Sequence, residues 1–248
     1  MNIAVCVSHV PDTATKIKIA SDEKSIDTTG VTYIINPYDE FAVEEALKTK
    51  EKFGGEVTVI SFGNDSNKET IRKALAMGAD KGLLLKGDPA SDTMVVAKAL
   101  AEEIRTNGYD IVFFGKQSVD FDNSITGQLI ASMIDYNCVS VVVDLKIEGN
   151  KITAEREIEG GREVVETETP AVITAQKGLN EPRYASLKGI MAAKKKTIEE
   201  KPAAAGENTI EILSLKKPPA KQPGRILGTD SSAVPELVRL LREEAKVI

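Results

Sequence analysis

The polar segment at residues 115–128, GKQSVDFDNSITGQ, contains the densest group of side chains that could bind a ligand. It follows an apolar run and leads into apolar residues at helical spacing, so it joins a predicted strand to a predicted helix. Backbone N–H groups at a helix start attract anions, and the hydroxyls of Ser124 and Thr126 lie in the same stretch. Asn123 and Ser124 could donate hydrogen bonds to phosphate oxygens. The segment predicts an anion or nucleotide site, with an ordinary helix cap in a solvated loop as the alternative.

Two aspartates in this segment, Asp120 and Asp122, offer acceptors for ribose hydroxyls. A metal site or an acid–base pair is disfavoured, because residues two apart in a loop point in unrelated directions. His9 is the only histidine, which excludes multi-histidine zinc sites and histidine-based triads. The sequence therefore predicts neither a catalytic group nor a metal, and an enzyme in its own right is not expected.

Motifs that cleave or transfer phosphates are absent from the sequence. There is no GxxxxGK[ST] segment, and no GxGxxG opens a helix after the first predicted strand. The former would mark a P-loop and the latter a standard dinucleotide site. A nucleotide bound by this chain would be held by other loops, without machinery to cleave it.

Alternating strand and helix patterns surround these residues. Almost continuous apolar runs are typical of parallel strands that are covered on both faces. The predicted strands are residues 3–7, 57–62, 83–85, 111–114 and 171–175. The predicted helices are residues 39–52, a helix from a Ser66–Glu69 capping box to Met77, a helix capped by Ser91 or Asp92 and ended at Gly108, and residues 125–133. The pattern predicts a Rossmann-like α/β fold with a doubly wound, mostly parallel sheet, whose ligand loops follow the strands.

The second half of the sequence changes character twice. Residues 141–148, 152–158 and 164–169 are separated by turn signals at Gly149 and Gly160, which predicts an antiparallel meander at the sheet's edge. After residue 196, linker-like stretches flank a strand candidate at residues 210–215, and residues 234–241 predict an amphipathic helix. We expect a domain at residues 1–192 and an arm at residues 193–248 that docks on a partner. An arm folded back on its own domain is the alternative.

Charge and hydropathy narrow the function classes. A net charge of −6 and the absence of Trp disfavour nucleic-acid binding. No apolar run approaches the roughly 20 residues that cross a bilayer, and no signal peptide or membrane insertion is expected. Cys6 and Cys138 lie far apart, in or beside apolar runs, and are expected to be free and buried. A cytoplasmic location follows from this cysteine usage.

The segment KGLNEPRYASLKGIMAAKKK, at residues 177–196, has no obvious nucleophile and no metal cluster. Leu187, Ile190 and Met191 form either an exposed apolar spot or part of the core. The lysines at residues 194–196 either complete a solvated helix end or meet an acidic partner.

Five segments together resemble one family. LNEPRYASLKGIMAAKKK resembles the signature segment of electron-transfer flavoprotein beta subunits, and four more segments match the course of that family in order: INPYDEFAVEEALKTKE, KETIRKALAMGADKG, DIVFFGKQSVD and EREIEGGREVVETETPAVITA. They cover most of residues 1–200.

The resemblance implies a non-catalytic subunit of the adenine-nucleotide-binding type in a heterodimer. In this family an alpha subunit holds most of the FAD, which carries electrons from acyl-CoA-type dehydrogenases to an acceptor, as in fatty acid oxidation. The beta subunit holds AMP as a structural ligand, and its C-terminal segment wraps the alpha subunit. The AMP site then falls on Cys6, Asn36, Pro37, Tyr38, Asp39, Phe62, Gly115, Lys116, Gln117, Ser118, Val119, Asp120, Phe121, Asp122, Asn123, Ser124, Ile125 and Thr126. Partner recognition falls on Arg183, Tyr184, Leu187, Ile190 and Met191, in a recognition loop over residues 183–191 whose residues 184–191 are presented with Leu187 at the tip.

Three residues depart from the family pattern. Thr13 stands where a larger residue often approaches the flavin, and the bulk of Phe62 and Phe121 is expected to narrow the AMP pocket.

Two alternative functions remain. A second branch of the family bifurcates electrons and holds a second FAD in place of AMP. Its members resemble GDTAQVGP where this chain reads FDNSITGQ, which favours the AMP branch. A stand-alone nucleotide-binding protein resembling universal stress proteins is disfavoured by the extended arm.

Overall fold

The structure is a computed structural model that describes residues 1–204, 206–221 and 223–248. Strands and helices alternate over most of the chain, and a 3-10 turn at Ser231–Ala233 precedes the last helix. In chain order the elements are β1 (Asn2–Cys6), β2 (His9–Pro11), β3 (Tyr33–Ile35), α1 (Pro37–Phe53), β4 (Glu56–Gly63), α2 (Asn67–Met77), β5 (Lys81–Lys86), α3 (Thr93–Asn107), β6 (Ile111–Gly115), α4 (Thr126–Ile134), β7 (Asn137–Glu148), β8 (Lys151–Ile158), β9 (Gly161–Glu168), β10 (Ala171–Ala175), α5 (Leu187–Lys195), β11 (Ile198–Pro202) and α6 (Val234–Glu243).

A 9-stranded sheet forms the centre of the molecule, in the order β11-β5-β4-β1-β6-β10-β7-β8-β9. All pairs from β11 to β7 are parallel, and β7, β8 and β9 form an antiparallel meander at one edge. From β1 the chain builds outward through β4 and β5 on one side, and then β6 adds to the other side. This confirms the predicted α/β fold and gives a switch in strand order between β1 and β6, where such sheets bind ligands.

Two apolar layers cover the two faces of the sheet. Ile3 and Val5 pack with residues of α1 and α2, whereas Ala4 and Cys6 pack with residues of α3 and α4. Successive side chains of a strand point to opposite faces, so a strand buried on both faces needs an unbroken apolar sequence. The continuous apolar runs of the sequence have this cause.

The helix ends follow local chemistry, with one correction. Asp92 caps α3 by accepting from the N–H of Val95 at 2.9 Å, and Gly108 ends that helix in the left-handed conformation. The predicted Ser66–Glu69 capping box is not formed, because Ser66 already has helical backbone angles and makes no side-chain cap. Instead, the side-chain oxygen of Asn64 accepts from the N–H of Ser66 at 2.9 Å. An Asx turn from Asn64 therefore leads into α2.

The C-terminal part differs from the sequence prediction in one strand. Residues 210–215 contain no strand, whereas β11 extends the sheet beside β5. β11 was not predicted because its sequence is charged and contains no apolar run. Its Glu200 forms ion pairs with Lys68 at 2.7 Å and with Lys86 at 2.8 Å along the sheet's edge. The predicted amphipathic helix is present as α6. Among the described residues, no helix has the length and apolar content needed to cross a membrane.

One cysteine also lies where the sequence did not predict it. Cys6 is buried, as expected, but Cys138 is exposed. Cys138 precedes Val139 on β7, and Val139 is the residue whose side chain faces the core. Both thiols are free.

Candidate nucleotide site and docking segment

Asp39, in the first turn of α1, joins the ends of β1 and β6 at the switch in strand order. One carboxylate oxygen accepts from the N–H of Ser8 at 2.7 Å, and the other accepts from the N–H of Gly115 at 3.1 Å. Loops that follow strands on either side of a switch point diverge and leave a crevice between them. Asp39 fixes the two loops that border this crevice.

Asn36, immediately before α1, extends the same network into the polar segment. Its side-chain nitrogen donates to Asp39 Oδ1 at 2.9 Å and to the carbonyl of Gln117 at 2.8 Å. Its side-chain oxygen accepts from the N–H of Val119 at 3.1 Å. Asn36 is fully buried, and its two hydrogen bonds to the backbone of Gln117 and Val119 hold the polar segment in place.

The surroundings of Asp39 alter the protonation of two groups. Burial raises the pKa of Asp39 to about 7, although hydrogen bonds from Ser8, Asn36 and Gly115 oppose the rise. Burial, and then the proximity of Asp39, raise the pKa of the Cys6 thiol. Cys6 is therefore a protonated core residue of the α3–α4 layer, whereas Asp39 changes charge near neutral pH.

Close packing brings the start of α1 against the end of β6. A Cβ atom on Gly115 would lie 2.3 Å from Asp39 Oδ1 and 2.7 Å from the Cβ of Tyr38, so only glycine fits. The ammonium of Lys116 lies 5.0 Å from the centre of the Tyr38 ring, within range of a cation–π interaction. Pro37 begins α1, where its missing N–H leaves no hydrogen bond unmade.

Side-chain hydrogen bonds hold residues 117–124 in shape. The side-chain nitrogen of Gln117 donates to Asp122 Oδ1 at 2.5 Å, and its oxygen accepts from the hydroxyl of Ser124 at 2.9 Å. The carbonyl of Ser118 accepts from the N–H of Asp122 at 2.9 Å. Asp122 and Ser124 have φ angles of 52° and 54°, a left-handed conformation that is uncommon outside glycine. The network therefore maintains a specific loop backbone.

The start of α4 lies at the end of this loop and has no side-chain cap. Ile125 precedes the helix, and its side chain cannot accept a hydrogen bond. The first N–H groups of a helix, here those from Thr126 onward, have no carbonyl partner within the helix. The side-chain oxygen Oε1 of Gln128, in the same turn, is buried without a partner. The helix start thus has both donors and an acceptor to offer a ligand.

The two bulky residues of the predicted site, Phe62 and Phe121, have different surroundings. Phe62, near the end of β4, packs against Gly87, where a Cβ would lie 2.2 Å from the ring's Cζ. Phe121 is 63% exposed and fills no enclosed space, and its N–H donates to its neighbour Asp120.

The segment after residue 186 is a helix, so the predicted loop over residues 184–191 is wrong in its second half. Ser186 caps α5 by accepting from the N–H of Gly189 at 3.0 Å. Leu187 is 83% exposed and Tyr184 is 98% exposed, and both Ile190 and Met191 are also exposed. Of the two sequence interpretations, the structure supports the exposed apolar spot and not the core.

Packing against α2 fixes the position of α5. A Cβ on Gly189 would lie 2.3 Å from the carbonyl oxygen of Ala76, which shows how closely the two helices approach. Arg72 of α2 donates to the carbonyls of Ala193 and Lys196 at 2.7 and 3.2 Å, at the end of α5. The exposed apolar side chains therefore stand on a firmly held helix.

Arg183 holds the preceding segment against α1. Its guanidinium donates to Glu44 at 2.8 and 2.9 Å and to Glu51 at 2.5 Å. Asn180 donates to Glu45 at 2.9 Å in the same region. The guanidinium of Arg183 is bonded within the chain, and its role in partner binding stays a prediction.

Comparison with known proteins identifies the family to which this chain is similar. A family model described as the electron transfer flavoprotein domain matches residues 24–206. The electron transfer flavoprotein subunit beta of Syntrophomonas wolfei is 43% identical over 225 residues, which cover 90% of this chain and 88% of the relative. Those of Bacillus subtilis and Homo sapiens are 36% and 39% identical, and the alignments cover 100% and 98% of both chains.

The chain belongs to the electron transfer flavoprotein beta family. The family match contains α1, the polar segment and α5, and it ends just beyond β11. The predicted family resemblance is confirmed. Across the described ranges of this beta-family chain, no group of 3 or more His, Cys, Asp or Glu could hold a metal ion.

Two carboxylates of this beta-family chain, Glu44 and Glu45, bind Arg183 and Asn180 ahead of α5 and were not predicted from the sequence. Glu44 and Glu45 follow Phe41 at the helical spacings of three and four residues, which places them on the packed face of α1. Both are buried, and carboxylates on such a face need a partner. That pattern predicts a cation but not which one, because Arg183 is distant in sequence.

Proposed function

We propose that this chain is the beta subunit of a heterodimeric electron transfer flavoprotein and that it holds AMP in the crevice between β1 and β6. The observation that carries the proposal is the polar segment, which Asn36 and Asp39 fix on one side and which ends at the uncapped start of α4. The phosphate would accept hydrogen bonds from backbone N–H groups at that helix start and from the hydroxyl of Thr126, whereas the hydroxyl proton of Ser124 is already donated to Gln117. Asp120 and Asp122 are the candidate acceptors for ribose hydroxyls.

The donor and acceptor set fits AMP in two respects. Helix-start N–H groups suit the negative phosphate, in line with the helix dipole. The buried, unpartnered Oε1 of Gln128 suits a donor, and AMP supplies donors in its ribose hydroxyls and its adenine amino group. In this proposal AMP is a structural ligand that the loops of the crevice hold.

The C-terminal arm supports the heterodimer. α6 has an apolar stripe that includes Val234 and Leu237, and both residues are exposed, as is Ile226 of the preceding segment. An amphipathic helix with an exposed apolar stripe suits a groove on another protein. We infer that the arm binds the alpha subunit, which holds most of the FAD; FAD supplies the electron-carrying chemistry when bound. A stand-alone nucleotide-binding protein would leave this stripe in water.

The exposed apolar residues around α5 support the proposal that partner proteins bind there and leave again. Leu187 is an exposed aliphatic residue on a fixed helix, flanked by Tyr184 and Met191 and followed by lysines. A single aliphatic residue that enters a pocket can supply much of the affinity of a small interface. We infer that acyl-CoA-type dehydrogenases bind here and pass electrons to the FAD of the heterodimer.

A change at Thr126 tests the nucleotide site directly. Thr126→Val keeps the shape of the side chain and removes the hydroxyl, so AMP affinity should fall about tenfold, as expected for a lost hydrogen bond to a charged group. The measurement is equilibrium dialysis of AMP into the full chain after its nucleotide is stripped. Thr106→Val is the matched control, because that hydroxyl bonds only the carbonyl of Glu102 near the end of α3. Equal AMP affinity in both variants and the wild type would contradict the assigned site.

A further inference from the structure

The first part of the arm is attached to the domain at Asp92, the residue that caps α3. While Asp92 Oδ1 accepts from Val95, Oδ2 accepts from the hydroxyl of Thr209 at 2.7 Å, from the N–H of Thr209 and from the N–H of Ile210 at 3.1 Å. The N–H of Asp92 donates to the side-chain oxygen of Asn208 at 2.8 Å. One residue thus ends the loop before α3 and binds three successive residues of the arm.

The charge of Asp92 strengthens this attachment. The N–H of Val95, followed by the hydroxyl of Thr209, lowers the pKa of Asp92 to about 2. The carboxylate is therefore ionised at physiological pH, and its hydrogen bonds to the arm are charge-assisted. A second contact lies further along the arm, where the N–H of Leu215 donates to the carbonyl of Glu23 at 2.6 Å.

The next residue, Thr93, contacts the polar segment. The side-chain nitrogen of Asn123 donates to Thr93 Oγ1 at 2.9 Å. Asn123 lies between Asp122 and Ser124, the two residues with left-handed backbone angles. Its position therefore depends on the same loop backbone that leads into α4.

We propose that Asp92 and Thr93 couple the conformation of residues 115–128 to the attachment of the arm. When the polar segment is ordered, the side chain of Asn123 stays hydrogen-bonded to Thr93. This hydrogen bond stabilises the start of α3 and therefore the position of the Asp92 carboxylate, which binds Thr209 and Ile210. The ligand in this coupling is AMP, and that part rests on the proposed function; the link between loop and arm does not. Because coupling between two binding events is reciprocal, an arm held by the alpha subunit would also tighten AMP binding.

Hydrogen exchange at the amides of Thr209 and Ile210 tests the link without any nucleotide, since both amides donate to Asp92. In the full chain, Thr93→Val removes the acceptor of Asn123 and should speed exchange at these two amides by about fivefold or more, the lower range of measured couplings. Thr106→Val, a matched change in the same helix, should leave their exchange unchanged. Thr93→Ser restores a hydroxyl and should restore the slow exchange. Equal exchange in Thr93→Val and the wild type would overturn the proposal.

Adding AMP separates this inference from the proposed function. In the wild type, AMP should slow exchange at Thr209 and Ile210, and the effect should be absent from Thr93→Val. An AMP effect of equal size in Thr93→Val would overturn the coupling. If dialysis shows that the wild type binds no AMP, the proposed nucleotide site fails, while the comparison without nucleotide still supports or overturns the link between loop and arm.

Discussion

At the scale of single residues, the candidate site depends on side chains that do not need to touch a ligand. Asp39 and Asn36 are buried and direct their polar atoms at the backbone of neighbouring loops. The sequence pattern placed Asp39 at the start of a helix, whereas Asn36 was singled out only by the family resemblance. The pattern could not give their role, because the hydrogen bonds of Asp39 join residues that are far apart in sequence.

The pKa of Asp39 gives a prediction for the pH dependence of stability. The pKa of about 7 in the folded protein lies above the usual unfolded value of about 3.9, so the folded state binds this proton more tightly. The stability that Asp39 contributes is therefore fully present below about pH 4 and is lost as pH rises to about 7. We expect the free energy of unfolding of the wild type, relative to Asp39→Asn, to fall by up to about 1.4 kcal/mol per pH unit in that window.

Urea unfolding of both proteins, at a series of pH values from about 4 to about 9, measures this difference. Asparagine does not titrate, so the difference isolates the Asp39 carboxyl. A difference that falls from about pH 4 to about pH 7 and is level above about pH 8 agrees with the prediction. A difference that does not fall over this range would contradict it and would mean that the three hydrogen bonds offset burial, so that the folded carboxylate is already charged.

At the scale of elements, α5 is a presented surface on a fixed support. Gly189 lets it approach α2, Arg72 bonds its last carbonyls, and Arg183 holds the preceding segment on α1. An interface of this kind loses little conformational freedom on binding, because its backbone is already ordered. The exposed residues Leu187 and Met191 are therefore suited to partners that must bind and leave.

Replacing Leu187 tests that assignment. Leu187→Ala should raise the KM of a dehydrogenase for the purified heterodimer about 30-fold, which corresponds to the roughly 2 kcal/mol typical of a residue that dominates an interface. The measurement is the steady-state reduction of the heterodimer by an acyl-CoA dehydrogenase. Leu213→Ala, at an exposed leucine outside α5, is the matched control and should leave the KM unchanged. Loss of flavin or of folding stability in Leu187→Ala would assign this residue a structural role instead.

The elements also show what the sequence could and could not predict. Strands such as β1 and β10 could be predicted from the sequence because both of their faces are buried, which requires an unbroken apolar run. β11 could not be predicted in this way, because it is an edge strand with charged side chains, such as Glu200 in its ion pairs with lysines, and has no apolar run. Residues 187–191 were predicted as loop because the family resemblance implied a partner-recognition loop there. The Ser186 cap was the local signal that favoured a helix.

At the scale of the whole molecule, the α/β sheet and its helices are followed after β11 by a C-terminal segment with exposed apolar side chains, among them Ile226, Val234 and Leu237. The family match runs from residue 24, after β2, to residue 206, just beyond β11, and full-length relatives align over the rest of the chain as well. In the described part of the arm, Asp92 holds residues 208–210, whereas α6 keeps its apolar stripe exposed. This division suits a subunit whose folded domain binds a nucleotide and whose arm binds a partner.

The central claim, that this chain contributes a structural AMP and no second flavin, is tested most directly by the ligand content of the purified heterodimer. Co-expression with the alpha subunit, denaturation and chromatographic quantification of the released nucleotides give that content per heterodimer. We predict one FAD and one AMP per heterodimer. Two FAD and no AMP would contradict it and would indicate the electron-bifurcating branch.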